Sequence, residues 1–118
     1  MKQFMAIYLG TPVAMSNWDK LSESERKQRQ AAGMKAWREW MTTHRESIVE
    51  DGGPLGKTKR ANPQGVADVR NNMAAYVVVQ AESHDAAAKM FLNHPHFAIF
   101  PGDSVEIMEC LPIPTGAG

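Results

Sequence analysis

The sequence predicts an α+β fold in which two helices cover one face of a four-stranded antiparallel sheet. Three observations support this prediction: four β-rich runs, two amphipathic helical segments between them, and the order strand, helix, strand, strand, helix, strand. That order is the ferredoxin-like split β-α-β motif. A chain of 118 residues has the size of a single domain, which we place at residues 1–114, with a flexible tail at 115–118.

Composition and charge exclude several classes of protein. Thirteen Lys and Arg residues balance thirteen Asp and Glu residues, so no net positive charge favours nucleic acid or an anionic membrane. Cys110 is the only cysteine, which excludes an intrachain disulfide and a cysteine-rich zinc site and fits a reducing compartment. The apolar run at residues 4–9 is too short for a signal peptide or a membrane span. We therefore expect a cytoplasmic protein with no nucleic-acid or membrane partner.

The N-terminal part of the chain predicts a strand and a long helix. Residues 2–9 carry apolar side chains on both alternating faces, which is typical of a strand covered on both sides. Residues 10–21 are expected to form a connecting loop. Ser22 and Glu25 then form a capping box, and the apolar residues after it recur at three- and four-residue steps. This pattern predicts a helix over about residues 23–46.

The middle of the chain predicts two further strands. Residues 48–60 are expected to form an edge strand, kinked by the Gly-Gly-Pro sequence at 52–54. The polar stretch at 61–72 has the composition of a hairpin connection. Residues 74–81 form the most β-branched run of the chain and are again apolar on both faces, so we expect a central strand there.

The C-terminal part predicts a second helix and a last strand. Ser83 can cap a helix that ends before Pro95, because proline disfavours helical geometry in the residue before it. Residues 93–96 are then expected to leave the helix. Residues 104–111 supply the last strand.

The two central strands predict a homodimer. Both are apolar on two faces, whereas both helices would cover only one face of the sheet, so a monomer would expose a large apolar patch. Packing two such sheets face to face would bury that patch and form a dimeric α+β barrel. The alternative is that the loops at 10–21 and 61–73 fold over the same face.

Short motifs with a recognisable pattern run through nearly the whole chain. They are Ala36-Trp37-Arg38-Glu39-Trp40, Gly52-Gly53-Pro54-Leu55-Gly56, Gln80-Ala81-Glu82-Ser83, His94-Pro95-His96 and Glu109-Cys110-Leu111-Pro112-Ile113-Pro114. This set resembles the YCII-related family of small dimeric α+β-barrel proteins, which includes the DGPF-type domains. The resemblance implies the fold and the homodimer, and it implies function only broadly because one fold hosts several chemistries. Some members use a His–Asp pair; the matching positions here are Ala36 and His94, so that chemistry is not implied.

A His-Pro-His segment is the sharpest polar feature of the sequence. Two imidazoles with an ordinary pKa of about 6.5 could act as acid and base or bind a ligand, so we predict His94 and His96 as catalytic residues. A metal would need further ligands, for which His44, Glu106 and Cys110 are conceivable, but nothing in the sequence brings them together. We therefore predict no metal and no cofactor. The alternative is that His94 stabilises a helix end while His96 is exposed or bonded to the backbone.

Four further residues could complete a ligand site: Trp37, Trp40, His44 and Tyr76. The first three share the long helix and could line an aromatic pocket between helix and sheet. Core packing is the alternative for the tryptophans, and a place at the rim of the sheet is the alternative for Tyr76. The sequence thus predicts a protein that binds a small molecule and could act on it. The alternative function is a non-catalytic interaction or regulatory module with no open pocket.

Overall fold

The computed structural model describes residues 1–114, and the tail predicted at 115–118 lies outside the described residues. The elements in chain order are β1 (Lys2–Leu9), α1 (Pro12–Asp19), α2 (Glu23–Thr43), a 3-10 helix (Arg45–Ser47), β2 (Ile48–Pro54), β3 (Thr58–Asn62), β4 (Gly65–Val69), β5 (Met73–Ala81), α3 (His84–Lys89), α4 (Pro95–Ala98) and β6 (Ser104–Glu109).

Four strands form one antiparallel sheet in the order β2-β5-β1-β6. The two strands with apolar side chains on both faces, β1 and β5, are its centre, and Ala6 of β1 lies between Val77 of β5 and Ile107 of β6. The predicted α+β fold with an antiparallel sheet is therefore confirmed.

The hydrophobic core lies between this sheet and the helices. Alternate residues of the central strands supply one side of it, and Trp40, Ala87 and Phe91 supply the other. The strand residues in the core are Phe4, Ala6, Tyr8, Ala75, Val77, Val79 and Ala81. Burial of these side chains is the main favourable term that fixes the helices on the sheet. The start of α2 is confirmed as well, because the Ser22 hydroxyl accepts the Glu25 N–H at 3.1 Å.

The opposite face of the sheet is less well covered. Met5 and Ile7 alternate with the core residues of β1 and are only half-buried, whereas their neighbours Phe4 and Ala6 are completely buried. The described chain measures 58 × 43 × 18 Å, and a thickness of 18 Å accommodates one sheet and one layer of helices. The alternative in which loops form a further layer over this face is therefore not supported.

Two segments predicted as connections contain regular structure, so those predictions were wrong. Within 10–21, α1 begins with proline at its first position, and the Thr11 hydroxyl accepts the Ala14 N–H at 3.3 Å. This is the normal combination of an N-cap threonine and an N1 proline. The segment 61–72 contains the end of β3 and all of β4, and these two strands pair with each other in a separate hairpin around a turn at 63–64.

Other boundaries also differ from the prediction. The long helix ends at Thr43, and a 3-10 helix follows it. The predicted edge strand is divided, because β2 ends at Pro54 and residues 55–57 have no regular structure before β3 begins. His94 does not simply leave a helix but caps a new one, α4, with Pro95 at its first position. Among residues 1–114, no helix is both long and apolar enough to cross a membrane.

Candidate functional site

A cavity of about 350 Å³ lies between α1, α2, the start of β5 and the segment that leads into β6. Its volume is at the lower end of the range of roughly 300–1,000 Å³ that is typical of small-molecule sites. The residues that line it are Gly10, Met15, Met34, Trp37, Asp51, Gly53, Pro54, Ala74, Ala75, Tyr76, Val77, His96, Phe100, Pro101 and Gly102. Most of these are apolar, so the cavity is suited to an apolar ligand.

The walls of the cavity come from separate elements. α2 supplies Met34 and Trp37, which lie about one turn apart on the same helix face, and α1 supplies Met15. Both methionines are 47% exposed, which places them where the cavity opens to solvent. Phe100 adds an aromatic side chain whose ring centroid is 5.9 Å from that of Trp37. Flexible methionines at the opening and rigid rings inside favour an adaptable entrance and a shaped interior.

His96 is the one imidazole that lines the cavity, and the backbone fixes its ring. Its Nε2 atom lies 2.7 Å from the Leu9 carbonyl oxygen, so Nε2 carries the proton and donates. Nδ1 is then the nitrogen with the lone pair. Burial lowers the pKa of His96, while hydrogen bonds to the backbone of Leu9 and Ser104 and the negative charge of Asp103 act in the opposite direction.

His94 lies behind the cavity and is completely buried. Its Nδ1 accepts the backbone N–H of His96 at 3.0 Å, so Nε2 carries its proton and donates to the Tyr8 hydroxyl at 3.2 Å. Burial, followed by the nearby His96 and His44, lowers the pKa of His94 to about 3. Burial also raises the pKa of the Tyr8 phenol. Both side chains are therefore neutral at physiological pH.

The structure separates the six predicted site residues into two groups. Trp37, Tyr76 and His96 line the cavity. Tyr76 pairs with Ile7, however, so its side chain lies on the sheet face turned away from the core, where its hydroxyl donates to the Glu50 carboxylate at 3.2 Å, which raises the tyrosine pKa. The other three predicted residues are His94, Trp40 and His44, and none of them lines the cavity.

Core and helix-end contacts account for Trp40 and His44. The Trp40 indole N–H donates to the Met90 carbonyl at 3.1 Å, and its ring packs on Phe91 in the core. His44 follows the last residue of α2, where its Nδ1 lies 3.0 Å from the Trp40 carbonyl. These positions match the core-packing alternative for Trp40. The roles of all six residues in binding or catalysis stay predictions.

A cluster of aromatic rings connects the cavity with the buried His94. The Trp37 ring centroid lies 4.5 Å from that of His94 and 4.7 Å from that of Tyr8. The Tyr8 ring in turn contacts His96 with a centroid distance of 5.1 Å. A change at His94 can therefore reach the cavity through side chains in direct contact.

Sequence reasoning missed the residues from α1 and from the segment after α4. Met15 lies in the segment 10–21, which the sequence predicts as a loop, and Phe100 belongs to none of the sequence motifs. Gly33 alone signals close packing at this place in α2, because glycine inside a helix often marks it, but it does not identify Phe100 as the partner.

Metal binding and thiol chemistry are not indicated at this site. Within the described part of the chain, no group of three or more His, Cys, Asp or Glu side chains could hold a metal ion. Cys110 is exposed just beyond the end of β6 and is not among the residues that line the cavity.

Comparisons with known proteins show the fold. No protein-family model matches the sequence, and no curated protein matches it. Six chains of solved structures match. One is the 5-chloro-2-hydroxyhydroquinone dehydrochlorinase TftG from Burkholderia phenoliruptrix AC1100, in complex with 2,5-dihydroxybenzoquinone, with a TM-score of 0.51 and 16% sequence identity over 90% of each chain. At this identity the likeness shows that the two chains share an α+β fold along almost their whole length.

Proposed function

We propose that the protein binds a small, largely apolar molecule in this cavity, with His96 as the main polar contact. The observation that carries the proposal is the convergence of apolar and aromatic walls on one buried imidazole. Ligand sites commonly combine an apolar lining with a few fixed polar groups. An open cavity of about 350 Å³ does not support the alternative of a module whose pocket is filled by its own side chains.

The lining defines the charge of the ligand. None of the cavity-lining residues is a lysine or arginine, and Asp51 is the one carboxylate among them. An anionic ligand would lose hydration without gaining an opposite charge from the walls, because the Asp51 carboxylate is itself paired with Arg45 at 3.4 Å. The walls therefore favour a neutral molecule, and Trp37 and Phe100 favour one with a flat ring that can stack or pack edge to face.

His96 gives this ligand a hydrogen-bond partner. Nε2 is engaged by the Leu9 carbonyl, so we assign to Nδ1 the acceptance of a hydrogen bond or a proton from a ligand hydroxyl. The lowered pKa keeps the imidazole neutral near pH 7, which is the state that can accept. If the protein acts on its ligand, the same nitrogen of His96 is the candidate general base. TftG, a dehydrochlorinase of the same fold bound to a small ring molecule, supports this direction without establishing it.

The proposal includes a homodimer of YCII-like subunits. Met5, Ile7 and Val78 share the face of the sheet that is turned away from the core, since Met5 pairs with Val78 and Ile7 follows at the next position of the same face. A second copy packed on this face would remove the half-buried Met5 and Ile7 from water, whereas Val78 is buried already. The sequence motifs that resemble the YCII-related family support the same arrangement.

The first experiment is native mass spectrometry of the freshly purified protein, followed by calorimetric titration with 4-methylphenol. We expect a dimer and saturable binding of the phenol, with benzoate as a matched anion that binds much more weakly. A bare monomer would contradict the dimer. A wild-type protein that binds 4-methylphenol no better than benzoate would contradict the proposed ligand chemistry.

A blocking variant tests whether the ligand occupies this cavity. Met34→Trp adds volume at the opening and, because Met34 is half-exposed, should leave folding intact. We expect it to weaken binding by about tenfold or more, as steric exclusion from a pocket typically does. Leu92→Trp is the matched control, since Leu92 is 69% exposed and lies outside the cavity lining. Equal binding by both variants would place the ligand elsewhere.

A further inference from the structure

The interior of α2 contains a glycine, Gly33, although glycine destabilises a helix. Glycine in the middle of a helix is destabilising by about 1 kcal/mol relative to alanine. Gly33 is nevertheless one of the two buried residues of α2, together with Trp40. A Cβ atom at position 33 would lie 2.5 Å from Cζ of Phe100, a distance at which the ring could not stay in place. The glycine therefore allows the Phe100 ring to pack directly on the helix backbone.

Phe100 contacts two helices, α1 and α2. Besides its contact with Gly33, its ring centroid lies 5.9 Å from that of Trp37 on α2 and 6.4 Å from that of Trp18 on α1. The same side chain lines the cavity. A phenylalanine ring is rigid and rotates about only two side-chain bonds, so its seat on Gly33 decides how far it extends into the cavity.

We propose that Phe100, seated on Gly33, determines the largest ring system that the cavity accepts. This inference rests on the proposed function, because it concerns the size of the ligand bound there. Removing the ring leaves space where a larger ligand can fit. Adding a Cβ at position 33 pushes the ring away from α2. Phe100 lines two cavities of about 350 Å³, the ligand cavity and one beside Trp18, and we expect the ring to move into the ligand cavity and displace the ligand.

A size series of phenols measures this limit directly. Phenol, 2-naphthol and 9-phenanthrol each carry one hydroxyl for His96 and differ in the number of fused rings. Their dissociation constants are compared for the wild-type protein, Phe100→Ala, Gly33→Ala and the double variant. We expect Phe100→Ala to improve the binding of the larger phenols relative to phenol by about tenfold, and Gly33→Ala to weaken all three by a similar factor. The double variant should bind like Phe100→Ala, because the clash needs both side chains.

Gly56→Ala is the matched control for the glycine substitution. Gly56 is exposed, and a Cβ built there meets no atom within 4 Å, so this variant should bind phenols as the wild-type protein does. Thermal unfolding is recorded for every variant, and Phe100→Leu replaces Phe100→Ala if the latter fails to fold.

Two outcomes would overturn the inference, and they differ from failure of the proposed function. If phenol binds the wild-type protein but Phe100→Ala leaves the order and ratio of the three affinities unchanged, Phe100 does not set the limit. If the double variant binds as poorly as Gly33→Ala, the glycine does not act through Phe100. If phenol fails to bind the wild-type protein at all, the proposed function fails and the inference fails with it.

Discussion

The Tyr8 hydroxyl and the Nε2 atom of His94 meet at 3.2 Å inside the core, and both side chains are wholly buried. The other ring nitrogen of His94 accepts the backbone N–H of His96. This bond caps the N-terminus of the short helix α4. One buried imidazole therefore joins the central strand to the residue that lines the cavity. From this geometry we infer a structural role for His94 and a ligand contact for His96.

We predict that His94→Ala lowers the free energy of unfolding by about 2–4 kcal/mol. The substitution leaves a void in the core, an unpaired His96 N–H and a Tyr8 hydroxyl without its donor. His94→Asn should lose less, because the asparagine side-chain oxygen can still cap α4. Urea unfolding of the three proteins checks this order. Wild-type stability in His94→Ala, combined with lost phenol binding, would instead assign His94 to the site, as the sequence predicts.

We predict that the protein loses stability as the pH falls from 6.5 towards 3. The pKa of His94 is lowered from 6.5 to about 3 in the folded protein, and that of His96 is also lowered. In this range the unfolded chain binds more protons than the folded one, so the free energy of unfolding rises with pH. The contribution of the two histidines to stability reaches its full value only above pH 6.5. Each group contributes a slope of up to about 1.4 kcal/mol per pH unit.

Urea unfolding at intervals between pH 4.5 and 7.5 measures this slope, and His94→Asn should reduce it. The Asp103 carboxyl does not interfere, because its hydrogen bonds with Thr11 hold its pKa below the ordinary 3.8. The same slope in wild-type protein and variant would show that His94 does not titrate as described.

The sequence predicted those parts of the fold that leave a periodic burial pattern. In β5, Ala75, Val77 and Val79 alternate into the core. In α2 a capping box marks the start, and Trp37, Trp40 and Met41 face the core at three- and four-residue steps, so both elements were recognisable. Helix α1 was missed because none of its residues is buried, which leaves no periodic signal. Its only marks were the local Thr11 cap and the proline after it.

The site was predictable only in part because long-range contacts build it. Trp37 and His96 stood out by residue type, but the bond that fixes His96 joins it to Leu9, 87 positions earlier in the chain. The contact of Phe100 with Gly33 is similarly remote in sequence. No spacing pattern reports such contacts, so the cavity walls could not be derived from the sequence.

We predict that Gly102→Ala destabilises the protein by about 1–3 kcal/mol and weakens phenol binding. A Cβ at this position would overlap the His96 ring, which cannot move without breaking its bond to Leu9. The double variant with His96→Ala should be no less stable than His96→Ala alone, because the obstacle is then gone. Thermal unfolding of the four proteins completes the cycle. Additive losses in the double variant would contradict a direct clash.

We predict that Ile7→Lys converts the proposed homodimer into monomers without unfolding the subunit. Ile7 is half-buried on the sheet face opposite the core, and its partner on β6 is Glu106. A lysine at position 7 can pair with that carboxylate in the monomer, since opposite charges on paired residues are favourable. Between two packed sheets, the same lysine would lose its hydration, a cost of several kcal/mol that opposes association.

Sedimentation velocity over a range of protein concentrations measures the shift towards monomer, and circular dichroism checks that the subunit remains folded. Leu92→Lys is the control, because Leu92 is 69% exposed and lies outside the sheet, so it should leave the dimer intact. If Ile7→Lys stays dimeric while folded, the two sheets do not pack through this face. The interface must then be sought elsewhere, for instance along the hairpin of β3 and β4, whose strands pair with no other strand within residues 1–114.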